Sequence, residues 1–342
     1  MLLAVRIALP FVLRYEINQR LAAIPDYNGW VDDVGVSVWR GAYTLYSPVI
    51  LKRDGRVKEP FFRAEEIDFS IAWRELLHGK LVGDIVAKRP MLTFVAAESP
   101  EASQMTADHR WQDVITDIFP IRITLLRLTD GELRYINRRA NPKVDVRVAH
   151  LSALATGLRN RPAESGDEFP ARIDARGETI GGGRLTILAQ LEPLANDPHF
   201  LLRLKIEGVS LPALNDFLRA YGGVDVSAGV FNGYVEATAR DGRFEGYFKP
   251  FFEKVDFSAP PGTSRAVGQE IWETVVRGFA WVFKNHARDQ VAARIPFSGE
   301  FKAVEIQKWA TFASMVRHAF IQPLHMKLDS ATSSSPPPAP RQ

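Results

Sequence analysis

At Pro25 the chain changes its hydrophobic period, and that change limits what it can fold into. Upstream, Leu13, Ile17 and Leu21 recur at every fourth position, one face of a helix. From Val34 onward the period is two. Val34, Val36 and Val38 alternate with Gly35, Ser37 and Trp39, and beyond Gly41 the residues Tyr43 and Leu45 resume the alternation. Glycine between two such runs suits a tight turn or bulge. The stretch from Tyr15 to Lys52 thus carries an apolar helix directly into a sheet, and it sets both location and architecture.

Most of the remaining chain repeats the strand signal. Phe62 to Ile71 and Lys80 to Val95 read as strands, the second interrupted at Pro90. Ile121 to Leu128, a turn at Asp130-Gly131, a return over Glu132 to Asn137, Pro142 and then Val144 to Leu151 repeat an earlier order of strand, glycine turn, strand, proline, strand. Ala171 to Arg176, Arg184 to Leu191, Phe200 to Glu207, Gly233 to Ala239 and Arg243 to Phe248 follow, the last two hinged at Asp241-Gly242. Ser210 is placed to cap a helix with Pro212 in its first turn and Leu214, Phe217, Leu218 and Tyr221 on its apolar face. A short helical turn is expected at Trp73 to Leu77, and longer helices at Gly268 to Asn285 and Glu305 to Phe320. The tail from Ser330, SATSSSPPPAPRQ, has no core to join.

The N-terminus, MLLAVRIALPFVL, is apolar apart from Arg6 and Pro10. A membrane span needs about 20 apolar residues, and this run is shorter. It also lacks the basic start and small-residue cleavage site of a secretory signal. It reads as the carboxyl half of an anchor helix beginning upstream of Met1, with Leu2, Leu3, Val5, Ile7 and Leu9 as anchor residues. A buried amphipathic helix is the alternative.

Several function classes drop out. With no cysteine, disulfides, thiolate catalysis and Cys-based zinc sites are excluded. The net charge of +3 is mild and its basic residues are spread along strands, so no nucleic-acid footprint forms. The seven histidines are scattered without metal-ligand spacing, so neither metal nor cofactor is expected. Glu65-Glu66 and Asp32-Asp33 are adjacent on strands and point to opposite faces. Gly181-Gly182-Gly183 lacks the spacing of a phosphate cradle and reads as a turn, and there is no G-x-S-x-G elbow. No catalytic residues emerge.

What remains is apolar strand faces. Val144, Val146 and Val148, then Leu185 and Ile187, then Leu202, Leu204 and Ile206 would line one side of a sheet, as would Val34, Val36, Val38, Tyr43 and Leu45. Periodicity leaves two readings open: a sandwich or helix-covered core, or an open curved sheet whose inner face is an apolar groove.

Five passages, in order, resemble the AsmA-like bacterial envelope proteins, in the branch labelled domain of unknown function 748. They are INQRLAAIPDYNGWVDDVGVSVWRGAYTL (Ile17 to Leu45), PFFRAEEIDFSIAWRELLHGKLVGDIVAKRPMLTFV (Pro60 to Val95), FPIRITLLRLTDGELRYINRRANPKVDVRVAHL (Phe119 to Leu151), VSLPALNDFLRAYGGVDVSAGVFNGYVEATARDGRFEGYFKP (Val209 to Pro250) and IPFSGEFKAVEIQKWATFASMVRHAFIQPL (Ile295 to Leu324). Each is degenerate alone; their order is the specific feature. The resemblance implies an inner-membrane anchor and a periplasmic body of strands in a long groove along which larger relatives are thought to carry phospholipid. The chain is small beside those relatives. About fifteen strands spaced by roughly 4.8 Å fall well short of 100 Å, so bridging two membranes would need a partner or self-assembly.

The expected fold is mainly β with helices (α+β): a long, curved, antiparallel-rich sheet forming an open groove, with an N-terminal anchor helix and C-terminal helices. Residues 1–24 form the anchor, 25–160 a first module, 161–329 a second module with the C-terminal helices, and 330–342 a disordered tail. The expected function is non-enzymatic: an inner-membrane-associated, periplasm-facing protein that holds or guides phospholipid acyl chains. The alternative is a lipid-free scaffold or assembly factor for outer-membrane proteins. A hydrolase of envelope substrates is weakest, since it lacks a convergent polar site.

Overall fold

The computed structural model describes residues 2–53, 55, 57–71, 82–96, 122–158, 168–193, 195, 197–222, 225–258, 290–292 and 294–301. The helices expected at Trp73 to Leu77, Gly268 to Asn285 and Glu305 to Phe320, and the tail, lie outside them. The rest is one large, mixed, unclosed sheet of 17 strands.

Ten of those strands are halves of five longer ones, each bent in its middle, so the sheet has twelve rungs. Rung 1 is Tyr27–Trp30 with Asp33–Ser37, and rung 2 is Ala42–Tyr46 with Val49–Lys52. Rung 3 is Phe62–Arg63 with Glu66–Ile71, and rung 4 is Val82–Lys88 with Met91–Ala96. Rungs 5 to 8 are Arg122–Asn137, Val144–Thr156, Ala171–Thr179 and Arg184–Leu191. Rungs 9 to 11 are Phe200–Ser210, Asp225–Arg240 and Arg243–Ser258, and rung 12 is Gln290–Ala292 with Ile295–Glu300. Neighbours run antiparallel except rungs 4 and 5, which are parallel. The sheet continues without interruption past residue 160, rung 6 pairing with rung 7 from Val148↔Thr179 to Thr156↔Arg172.

The bends fall in step. Ser47, Arg89, Asp130 and His150 each take a positive φ, in rungs 2, 4, 5 and 6, and Pro48, Pro90 and Gly131 follow three of them. Where one rung kinks, its neighbour accommodates it: Ser47 N donates to Glu65 O at 2.9 Å, and Arg89 N to Thr129 O at 2.8 Å. Arg89 pairs with Glu65, and His150 with Asp130 at 2.9 Å, a hydrogen bond that raises the imidazole pKa. A second set of kinks, at Gly208, Gly229 and Lys254, crosses rungs 9 to 11. Such bulges bend strands and tighten their twist.

Asp130-Gly131 is a bulge inside a continuous 16-residue strand, not a hairpin turn, so the internal repeat built on it does not hold. The neighbouring rung is kinked at Arg89-Pro90, and Glu132 N donates to Pro90 O at 2.8 Å, which gives the bulge a partner. By contrast Gly41 (φ 59) and Asp241-Gly242 (φ 49 and 72) do close hairpins.

Helix α1, Leu2–Ala22, lays Leu13, Ile17 and Leu21 on the sheet, joined by Ile24. Its end is capped by Arg53, whose Nη2 donates to Ala22 O at 2.6 Å and Tyr27 O at 2.9 Å. The second helix begins as a 3-10 turn, Leu211–Leu214, and continues as α2, Asn215–Gly222; Ser210 makes no side-chain cap bond.

Both helices are pinned by the same device. Val31 N donates to Asn18 Oδ1 at 2.7 Å and Asn18 Nδ2 to Val31 O at 3.3 Å. Val226 N donates to Asn215 Oδ1 at 2.9 Å and Asn215 Nδ2 to Val226 O at 2.8 Å. In each case a carboxamide stands in for a strand partner, taking up the N–H and C=O of one residue. Asn215→Ala leaves both polar groups of buried Val226 unmet, so urea unfolding is expected to show a loss of about 1–3 kcal/mol. Asn215→Asp, which accepts but cannot donate, should fall between the two.

Candidate functional site

Residues opposite one another across paired strands share a face, so the registers can be followed from one edge of the sheet to the other. One such line runs Val34, Leu45, Ile67, Ala87, Leu128, Ala153, Ala175, Ile187, Leu204, Val235, Phe248, Ile295. Two residues along, a second runs Val36, Tyr43, Phe69, Ile85, Leu126, Ala155, Ile173, Ala189, Leu202, Ala237, Gly246, Phe297. Every position in both is apolar. The line between them, on the other face, includes Asp68, Arg127, Asp174, Arg203 and Glu236. One face is apolar along these rows, and the other mixes those charges with Val86, Leu154, Leu188 and Tyr247.

The two described helices lie on the apolar face. Beneath α1 the rows carry large side chains: Val34, Leu45 and Phe69 are buried, and Tyr43 stacks on Phe69 at 4.8 Å with its phenol pKa raised by burial. At the other flank, Leu211, Leu214 and Leu218 pack on Ile206, Val235 and Phe248. Helix α2 spans from rung 10 to rung 6, and Tyr221 reaches rung 5, its hydroxyl accepting from Asn137 Nδ2 at 2.7 Å. Tyr221 places α2 at the Asn137–Val144 end of the strands, whereas the rows cross rung 6 at Ala153 and Ala155, so between these flanks, among the described residues, no helix lies over the rows. There Ile173, Ile187, Ala189, Leu202 and Leu204 are half-buried. Ala153, Ala155, Ala175 and Ala189 make a low floor under their taller neighbours.

Of the residues singled out in the sequence, Val34, Val36, Tyr43, Leu45, Leu185, Ile187, Leu202, Leu204 and Ile206 stand on this face. Val144, Val146 and Val148 stand there too, opposite Asn137, Tyr135 and Leu133. Val38 does not. It sits in the 3-10 turn Val38–Arg40 and is 47% exposed, because the strand ends one residue earlier to turn at Gly41. Leu9 is half-buried in α1, and the side chains of Leu2, Leu3, Val5 and Ile7 fall outside the described set. The alanine floor went unnoticed in the sequence, although its residues are in phase with the larger apolar ones.

The opposite face carries a cleft of about 940 Å³ over rungs 6 to 12. Arg172, Asp174, Arg203, Glu236, Glu245 and Arg294 line it alongside apolar side chains, among them Leu154, Leu188 and Leu201. Arg203 lies 3.7 Å from Glu236, and Arg294 lies 4.1 Å over the Tyr247 ring. Beside it, the Lys205 hydrogen bond holds the Glu207 carboxyl below its usual range. Among the described residues no cluster of three or more His, Asp or Glu forms a metal site, and no helix is long and apolar enough to cross a membrane.

Fold and face together define an unclosed β-sheet protein with one apolar surface and one of mixed charged and apolar character. A scan against protein-family models finds no matching family, and a search of curated proteins finds no match.

Proposed function

We propose that this chain is a non-enzymatic protein of the bacterial envelope, associated with the inner membrane and facing the periplasm, that holds phospholipid acyl chains on its apolar face. The observation that carries the reading is the pair of unbroken apolar rows with an alanine floor between two helix-covered flanks. The stacked bulges favour a curved sheet, and the likeness to AsmA-like proteins favours an acyl cargo. Each methylene moved from water onto the rows contributes about 0.8 kcal/mol, so a single chain gains enough to be retained. The twelve described rungs give a path of about 53 Å, so over that length linking two membranes takes a partner or a second copy.

The test is native mass spectrometry with lipid extraction on the full chain, purified from the envelope without detergent. Phospholipid at defined stoichiometry is the expected result. A folded, lipid-free protein would overturn the reading and leave the scaffold.

A further inference from the structure

On the face opposite the apolar rows, one register line carries cations and no acid. It runs Ser152, Arg176, Thr186, Lys205, Tyr234, Lys249 across rungs 6 to 11. Lys205 is matched by Glu207 at 2.7 Å, and Arg176 lies 3.6 Å from Asp174. Lys249 is different. Its Nζ stands 5.0 Å from the centre of the Tyr247 ring, and the same ring carries Arg294, whose Cζ is 4.1 Å away. Among the described residues neither cation has a carboxylate within ion-pair distance. Glu236 is engaged elsewhere: it accepts from the Tyr247 hydroxyl, which raises the phenol pKa, and lies 3.7 Å from Arg203. Glu245 stands four residues from Lys249 along rung 11, about 13 Å away.

Two cations on one ring, no more than about 9 Å apart, lie within a Debye length (about 10 Å at 0.1 M salt) and repel. The ring offsets part of that cost, and an anion between them would turn the repulsion into attraction. The arrangement suits a phosphate. A guanidinium lying over a ring spends its flat face there and leaves its N–H donors at the edge, matched in spacing to two phosphate oxygens. Lys249, half-buried on a flexible stem, supplies a point charge to a third. Arg294 and Tyr247 also line the 940 Å³ cleft, in which Leu201 and Leu188 lie two and three rungs from Tyr247. We propose that Arg294 and Lys249, held on the Tyr247 ring, bind a phosphate group at this end of the cleft. The group belongs either to a lipid headgroup, its apolar part directed toward Leu201 and Leu188, or to a small soluble phosphate. The sheet separates the site from the apolar rows, so the inference goes beyond the acyl reading and does not depend on it.

The experiment is calorimetric titration of the full chain with inorganic phosphate and with dihexanoyl phosphatidic acid below its micellar concentration. Wild type should bind, and Arg294→Gln should weaken binding about tenfold while circular dichroism stays unchanged. Arg294→Lys, which keeps the charge but loses the fork, should fall between them. Arg176→Gln, on the same line four rungs from Lys249, should bind as wild type does, because an exposed charge about 19 Å away is screened. Tighter binding of phosphatidic acid than of phosphate, lost in Arg294→Gln, assigns the site to a headgroup; equal binding of the two assigns it to soluble phosphates. The site is overturned if wild type binds neither probe, if Arg294→Gln binds normally, or if Arg176→Gln is as damaging. Leu204→Asp, altered on the apolar face, should bind phosphate as wild type does, which separates failure of this site from failure of the acyl face.

Discussion

Leu204→Asp is expected to empty the apolar face of lipid and leave the fold standing. Leu204 sits mid-row between Ile187 and Val235, in the stretch that neither described helix covers, and is half-buried. In the lipid-free protein an aspartate there keeps part of its hydration, so the cost in stability stays near 1–3 kcal/mol. With an acyl chain laid over it the carboxylate loses that water without gaining a partner, a penalty of several kcal/mol. Retention should fall by orders of magnitude. Leu188→Asp makes the same chemical change on rung 8 but on the charged face, beside Asp174 and Arg203, and should retain lipid normally. Equal lipid content in the two variants would remove the apolar face from the function.

Gly246→Val is expected to release the last rung. Gly246 closes the second apolar row between Ala237 and Phe297, and it is there because nothing larger fits. A Cβ would stand 2.3 Å from Glu236 O and 2.7 Å from the Phe297 ring. Neither the neighbouring backbone nor a ring packed against it can yield that distance cheaply, so the loss should be about 3 kcal/mol. Hydrogen exchange should speed up first at Ile295–Glu300, the strand paired to rung 11 there. Gly182→Asn is the contrasting change. Gly182 has φ +77 and open space around its Cβ position, and asparagine tolerates that backbone, so little should be lost.

The two Asp-Gly pairs mark how far local sequence carries the fold. Asp241-Gly242 closes a hairpin, whereas Asp130-Gly131 bends a strand that keeps going. Both aspartates take nearly the same positive φ. The difference lies in the neighbouring strand: rung 4 is kinked at the same level, and no local pattern predicts which strand will lie beside which. Period two did reveal which residues share a face, and helix spacing did reveal Leu13, Ile17 and Leu21. The carboxamide clamps of Asn18 and Asn215 were hidden because each joins residues more than ten apart through the backbone, not through a matched side chain. The alanine floor was hidden for a different reason. Alanine is apolar enough to keep the phase but too small to stand out in it, and its value comes from being shorter than its neighbours.

The rungs also bear on how such a chain can change length. Apart from α2, which ties rung 10 to rungs 5 and 6, each rung pairs only with its immediate neighbours, as in repeat proteins whose stability is a sum of adjacent contacts. Insertion or loss of one hairpin would alter the span by two steps, about 10 Å, and leave every other pairing as it was. Because side chains alternate strictly, a whole hairpin also keeps hydrophobic and charged surfaces in phase, while a single-residue slip would exchange them. The sheet is therefore a ruler graduated in hairpins, and relatives built on this plan should differ in reach by whole graduations.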